Sequence, residues 1–571
     1  MSQYKIKPIY DLKDVKLPKV WGRPLKALAS LVGSPYTNSL VKHQLQKEGG
    51  LDELRATQVD TVPMMMPKHP MVHRAKASEI KDSVPRFLKR MQEQSESAYQ
   101  SEAVYRSVVD YARAYKTGNS SPTEVAERLI DALNAQKQGI NAVTHFNEQY
   151  IRLQAEESTE RLQRGEARSL LEGVPISVKD ELDAVPYCTS VGTQIYGQDG
   201  SCQDDATVVA RLRAAGCIII GKANMHEIGI DLNGFNPHAG LCRNPYNSAH
   251  HTGGSSSGSA AAVAAGLGPL SIGADGGGSI RLPAALCGQV GLKSTWSRVS
   301  EHGAAPLCWS LAHVGPIGTC VDDVALAYLL MAGPDPLDNW SMAQPELHLA
   351  KYLNHDLSQV KIGVFSPWFE HADKEVVAAC RTGVQHLEKH GAKVEEVYID
   401  KLNAQRIAHA VTITTEMLTA VEKEYHATPM KFSAATRIAL GFASAFTSTD
   451  YVKAQRIRAF AIEEFNRVFE EVDVIITPSS PITAPLINEK SLPEGESDFA
   501  TATQLMRFMT PSNLTGHPAL SVPVGYDKNG LPIGMQIIGR AWEEHLLLRM
   551  GKILEQYINK RKPEVLYRLL E

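Results

Sequence analysis

Two clusters of glycine and serine, separated by one run of small residues, constrain this chain more than any other feature. Residues 252–259 read Thr-Gly-Gly-Ser-Ser-Ser-Gly-Ser, and residues 273–284 read Gly-Ala-Asp-Gly-Gly-Gly-Ser-Ile-Arg-Leu-Pro-Ala. Without Cβ atoms, Gly276, Gly277 and Gly278 let successive backbone N–H groups turn inward as an anion-binding nest beside the hydroxyl of Ser279. Ser255 and Ser256 follow Gly253-Gly254 in the first cluster, and Ser259-Ala-Ala-Ala-Val-Ala-Ala-Gly266 suits a closely packed helix that brings the clusters together. A hydroxyl beside an oxyanion site is the outline of a nucleophile, and such a nucleophile needs a base.

The candidate base lies upstream in Gly173-Val-Pro-Ile-Ser-Val-Lys-Asp180, where an apolar run reads as a buried strand ending on Lys179 and Asp180. A lysine at the end of a buried strand is a poor structural choice unless it is used. Burial disfavours the charged form of an amine, so such a group can act as a neutral base. Lys179, Ser255 and Ser279 then form a proton relay.

At these residues the chain resembles the amidase signature family. The resemblance rests on the strand lysine in Gly-Val-Pro-Ile-Ser-Val-Lys-Asp, on Gly221-Lys-Ala-Asn-Met-His-Glu227, Arg243-Asn-Pro-Tyr, Gly253-Gly-Ser-Ser-Ser-Gly258 and Asp275-Gly-Gly-Gly-Ser-Ile-Arg281, all in family order. It covers roughly residues 105 to 560. It implies an α/β fold with a mixed β-sheet core covered by helices on both sides, and hydrolysis of linear carboxamides by a Ser-Ser-Lys triad without cofactor or metal. Lys179 would be the base, Ser255 the bridging serine after a cis peptide, and Ser279 the nucleophile. The N–H groups of Gly276, Gly277, Gly278 and Ser279 would form the oxyanion hole. Ser256, Asp275 and Arg281 would support the site, with Arg281 pairing with Asp275 or orienting the second cluster, and Met225, Gly229, Ile230 and Leu232 would contact substrate.

The family's branches act on different amides. Ser444-Ala-Phe-Thr-Ser-Thr-Asp-Tyr-Val-Lys453, Leu505-Met-Arg-Phe-Met509 and Asn513-Leu-Thr-Gly-His-Pro-Ala-Leu-Ser-Val-Pro523 look like plant-type fatty acid amide hydrolases, which cleave N-acylethanolamines. Where that branch often has Thr before Asp-Gly-Gly-Gly-Ser, this chain has Ala274. The resemblance implies a lipid amide substrate, a homodimer, and an intracellular enzyme that is cytosolic or peripheral on endoplasmic reticulum or plasma membrane. The alternatives are an amidase of short amides, a glutamine-using tRNA amidotransferase subunit, and a lipid-binding protein without turnover.

Rival motifs lack their context. Gly254-Ser-Ser-Ser-Gly258 matches G-x-S-x-G with Ser256 at its centre, but the preceding His250-His-Thr-Gly-Gly254 is no apolar strand. His226-Glu227 lacks the second histidine of a zinc helix, and no lysine follows Gly276–Gly278 as in a P-loop. A formal charge of −4 across 571 residues argues against a nucleic-acid partner. The eight cysteines form no C-x-x-C pair, so reduced thiols are expected, and residues 252–274 are too rich in Gly, Ser and Pro for a membrane span.

The chain divides into an N-terminal extension, 1–104, and a catalytic domain, 105–571. In the extension Leu25, Leu28, Ala29 and Val32 fall at helical spacing beside Arg23 and Lys26, and Leu40, Val41 and Leu45 mark a second amphipathic stretch. Such an arm packs on its own protein, or touches a membrane and the mouth of a substrate channel. Val62-Pro-Met-Met-Met-Pro67 reads as a covering loop. Ser121-Pro-Thr-Glu124 is a helix start. Asp204 or Asp205 is a candidate cap for a helix running to Ala215, followed by a strand at Cys217–Ile220. Later strands are expected at Ile362–Phe365, Val394–Ile399, Val472–Ile476 and Ala519–Val524.

Overall fold

The computed structural model describes residues 9–34, 38–72, 74–97 and 103–571. Eleven strands form one mixed sheet: β1 (Val143–His145), β2 (Pro175–Lys179), β3 (Ile218–Ala223), β4 (Leu270–Ala274), β5 (Val290–Lys293), β6 (Val314–Gly318), β7 (Lys361–Val364), β8 (Lys393–Glu396), β9 (Val474–Pro478), β10 (Ala519–Tyr526) and β11 (Pro532–Gly539). Their order across the sheet is β8-β7-β9-β11-β10-β5-β6-β4-β2-β3-β1. Every residue of β2, β4, β6 and β9 is buried, as strands covered on both faces require.

Four helices matter for the site: α1 (Gly22–Gly33), α2 (Ser257–Ala264), α3 (Leu402–Ala420) and α4 (Ala434–Ala443). The small-residue helix α2 lies against β2, β4 and β6, buried along its whole length. Strands β2 and β4 are parallel neighbours, with Ile176 opposite Leu270 and Val178 opposite Ile272. Their carboxyl ends therefore bring Lys179 beside Ala274, two residues before the glycine nest. Crevices at such strand ends are where α/β sheets place ligands.

Local starts follow the sequence in one case and depart from it in another. Ser121 accepts the Glu124 N–H, Glu124 reaches back to the Ser121 N–H, and Pro122 occupies the first turn. The helix Thr207–Ala214 has no side-chain cap, because Asp205 is used elsewhere: it accepts the Val185 N–H at 2.8 Å and pairs with Arg213 at 2.7 Å.

The N-terminal segment is bound into the same body. Val20–Trp21 pairs with Glu496–Ser497, and Leu51 and Leu54 share a core with Leu311, Ile407, Val411 and Ile457. Leu25, Ala29 and Val32 are buried against Ala434 and Ile438 of α4, with Leu28 half-buried at the edge. The apolar face of α1 is thus spent on the protein itself, a burial that contributes about 1.5–3 kcal/mol for each large side chain. Close approach depends on Gly441, where a Cβ would fall 2.1 Å from Val32 Cγ1. The side chains of Leu40, Val41 and Leu45 lie outside the described residues. The proline-broken stretch after Val62 is a loop along the helix Ser448–Glu471, where the Met64 N–H donates to Gln455 O at 3.1 Å. Among the described residues no helix is long and apolar enough to cross a membrane.

Candidate active site

Strand β2 delivers Lys179 into the interior with 1% of its surface exposed. Its Nζ donates to Ser255 Oγ at 2.9 Å and to Ala274 O at 3.2 Å, and lies 2.6 Å from Glu181 Oε2. Two further lysines are buried but serve other contacts. Lys222 is tied to Leu182 O, Thr189 Oγ1 and Asp180, while Lys293 donates to His517 O and Ser294 O. Of the three, Lys179 is the one that meets a serine of the glycine-serine clusters.

The Gly254–Ser255 peptide is cis. Ser256 is a clamp between the clusters: its N–H donates to Ser279 O at 3.3 Å, its hydroxyl donates to Ala274 O at 3.1 Å, and it accepts the Ala274 N–H. On the other side of Ser255 the chain passes through Ile228 and Gly229, both with positive φ (46° and 71°). A β-branched residue rarely adopts that region, so the surrounding packing must enforce it. A Cβ on Gly229 would come within 3.2 Å of Ser255 Oγ.

The nest itself is braced by an ion pair with no exposed surface. Arg281 Nε and Nη2 donate to the two Asp275 oxygens, each at 2.9 Å, and its other hydrogens go to Ser512 Oγ, Gln536 Oε1, Asn513 Oδ1 and Met509 O. Burial alone would raise the Asp275 carboxyl, but the Arg281 guanidinium, with Lys293 and Asn513 behind it, holds it well below the usual carboxylate range. The expected pairing of Asp275 with Arg281 is therefore present.

Asp275 also changes the expected oxyanion hole. Its Oδ1 accepts the Gly278 N–H at 2.7 Å, so that donor is already engaged. The N–H groups of Gly276, Gly277 and Ser279 have no partner among the described residues. Side chains cannot replace the glycines: a Cβ would sit 2.6 Å from Cys308 Sγ at Gly276, 3.0 Å from His409 Cε1 at Gly277 and 2.8 Å from Met509 Cβ at Gly278. His409, on α3, holds the nest from outside through Gly276 O at 2.8 Å, and burial pushes its imidazole down to about 4, keeping it neutral.

Ser279 Oγ has no hydrogen-bond partner among the described residues, and Ser279 lines a cavity that opens to solvent. The cavity wall is mostly apolar. It takes Gly229, Ile230 and Leu232 from the strained loop, Ile407, Val411 and Met417 from α3, Phe442 and Phe446 near α4, and Val15, Leu17 and Leu51 from the N-terminal segment. Met225 is not part of it. That side chain is buried with Val191, Ile228 and Leu307 in a cluster that also holds the wall residue Met417. The arm contributes differently from the expectation as well: Leu25 and Val32 face α4, and the segments flanking α1 reach the cavity.

Three neighbours, Glu181, His409 and Gln536, have no mark in the sequence, and Asn513 stands in a block of resemblance that does not reveal its contacts with Asp275 and Arg281. Cys308 is a second nucleophile type near the nest, but burial, then Glu181, Glu416 and Glu301, push its thiol well up, so the reactive thiolate is disfavoured.

Comparison with known proteins supplies an independent frame. The family model described as Amidase matches residues 124–548. A fatty acid amide hydrolase of Oryza sativa subsp. indica is 36% identical over 576 residues, which are 97% of this chain and 95% of that protein. One of the glutamyl-tRNA(Gln) amidotransferase subunits, from Halothermothrix orenii, is also 36% identical, but over 424 residues, which are 68% of this chain and 86% of that protein. The crystal structure of the native peptide amidase of Stenotrophomonas maltophilia superposes with a TM-score of 0.70 at 26% identity, covering 81% of this chain and 99% of that one.

Proposed function

The chain belongs to the amidase family, and we propose that it hydrolyses fatty acid amides such as N-acylethanolamines to free fatty acid and amine through an acyl-enzyme on Ser279. One observation carries the substrate reading: the hydroxyl of Ser279 opens onto a large apolar cavity walled partly by Val15, Leu17 and Leu51. Those residues precede the family match, which begins at residue 124. Similarity to the rice fatty acid amide hydrolase spans the extension, whereas similarity to the amidotransferase covers 68% of the chain.

The chemistry uses the contacts around Lys179. Neutral Lys179 takes the Ser255 hydroxyl proton as Ser255 takes that of Ser279, and Ser279 Oγ adds to the amide carbonyl carbon. The N–H groups of Gly276, Gly277 and Ser279 receive the negative oxygen. The proton returns through Ser255 to the amine nitrogen as the C–N bond breaks, and water then hydrolyses the ester by the same route. Ser279→Ala removes the nucleophile and abolishes turnover.

Membrane contact and a homodimer belong to the same reading. The outer side of α1 leaves Trp21 and Leu31 exposed beside Arg23, a side that suits a lipid surface. The deciding experiment is kcat/KM across an acyl series, with glutamine and short amides as controls. Each buried methylene contributes at most about 0.8 kcal/mol, so going from C4 to C12 favours the long chain by up to about 6 kcal/mol before ordering costs. Equal rates along the series overturn the lipid reading and leave the amidase intact.

A further inference from the structure

A plain hydrocarbon chain does not account for one part of the cavity wall. Helix α3 presents Arg406, Ala410, Ile413, Thr414 and Met417 to the cavity; the Thr414 hydroxyl is satisfied by Ala410 O, and Arg406 is the one cation in this stripe. Its Nε and Nη2 both donate to one atom, Asn403 Oδ1, at 3.2 and 3.1 Å. Among the described residues no carboxylate lies within ion-pair distance of it. Glu53, the nearest acid to act on it, is already held by Lys13 and by Asn403 Nδ2, each at 2.7 Å. Burial pushes the guanidinium down to about 10, which Glu53 and Asp14 only partly offset.

A second donor stands in the same wall. Gln46 is 7% exposed, lines the cavity, and leaves its buried Nε2 without a partner among the described residues. Val15, Leu17, Leu51 and Ile407 in the same wall offer no side-chain acceptor. An unsatisfied buried donor is costly, more so beside a charge. A bound chain must therefore supply an acceptor or leave the donors bare.

The position of these donors sets them apart from the reaction. His409 contacts the nest at Gly276, and Arg406 is three residues earlier on α3, about 4.5 Å along the axis. Helical side chains lean toward the N-terminus, which carries the guanidinium further from Ser279 and toward the N-terminal segment.

We propose that Arg406 and Gln46 form a subsite for an oxygen on the acyl chain, so that the preferred substrates are amides of hydroxy or keto fatty acids. The proposal rests on the lipid amide reading above and refines its substrate class. The chain oxygen accepts from the guanidinium and from the Gln46 amide, while unmodified carbons pack on the apolar wall. A chain without that oxygen desolvates both donors and receives nothing in return, which is how a site built to hydrogen-bond a group rejects the analogue that lacks it.

The test measures kcat/KM for long-chain acyl amides, each as the plain chain and as hydroxylated isomers along the chain. The full-length enzyme should favour at least one positional isomer over the plain chain by about tenfold or more. Arg406→Met should reverse that preference by raising activity on the plain chain and lowering it on the favoured isomer. Gln46→Leu should reduce the preference in part, and Arg406→Lys should retain part of it. Ratios between substrates cancel the concentration of active enzyme, so partial misfolding of a variant does not mask the result. If no isomer beats the plain chain, or if the ratio survives Arg406→Met, the subsite falls while the lipid amide reading stands. If short amides are turned over and no long-chain amide is, both fall.

Discussion

Replacing Arg281 by methionine tests the brace under the glycine nest. The substitution keeps much of the apolar volume and removes six hydrogen bonds, two of them to Asp275. Both partners have no exposed surface, so the surviving carboxylate is stranded rather than returned to water. Breaking a buried pair from one side costs about 3–5 kcal/mol, against a total stability of about 5–15 kcal/mol for a folded protein. The dependence on pH should change sign. In the parent, Asp275 titrates below its unfolded value near 3.9, so its contribution is complete above about pH 4 and is lost as pH falls below that. Without the guanidinium, burial raises the carboxyl, and stability should instead decline as pH rises from about 4 to 7. Lys293, whose amine is held well below the usual range by burial and then by the Arg281 charge, regains part of its charge once Arg281 is gone and offsets only part of the loss. Urea unfolding across that pH interval measures both effects, and Asp275→Asn combined with Arg281→Met should recover part of the loss. A loss under about 1 kcal/mol, or a double variant no more stable than Arg281→Met alone, would refute the reasoning.

Two other substitutions probe separate parts of the molecule. Gly441→Ala places a Cβ 2.1 Å from Val32 Cγ1 and should lift α1 from α4 at a cost of about 1–3 kcal/mol, read as earlier proteolytic cleavage near residues 22–33 with the catalytic core still protected. Glu181→Gln removes the carboxylate 2.6 Å from Lys179 Nζ, and kcat/KM should fall if that contact positions the amine toward Ser255; an unchanged kcat/KM argues that another contact sets its position.

What could be read from the residues follows from how local each signal is. The nest, the lysine at the end of β2 and the capping box at Ser121 each sit within a few consecutive residues, where glycine, burial pattern and cap chemistry speak directly. Cys217–Ile220 and Ala519–Val524 are apolar runs and stand at β3 and β10. Strand β6 is different: Val-Gly-Pro-Ile-Gly has neither alternation nor a β-branched run, and its place between β4 and β5 comes from its neighbours. The brace is legible only in its near half. Asp275 and Arg281 are six residues apart, while Asn513 and Gln536 reach them from more than 200 residues away. Gly278 illustrates the limit from the other side, since glycine spacing marks a nest but cannot say that one of its N–H groups is taken by Asp275. Helical spacing likewise identifies Leu25, Ala29 and Val32 as one face, yet the partner of that face is decided by Ala434, Ile438 and the missing side chain of Gly441.

The seating of α1 on α4 has a consequence for how the chain is made. Leu25 meets Ile438, so roughly 400 residues must be synthesised before the first apolar face has its partner. At about 5–20 residues per second that interval is on the order of 20–80 s, long compared with collapse or helix formation. Until then the segment carrying Leu25, Leu28 and Val32 has no apolar partner, and a lone 12-residue helix is marginal in water, so α1 forms and docks only after α4 has been made.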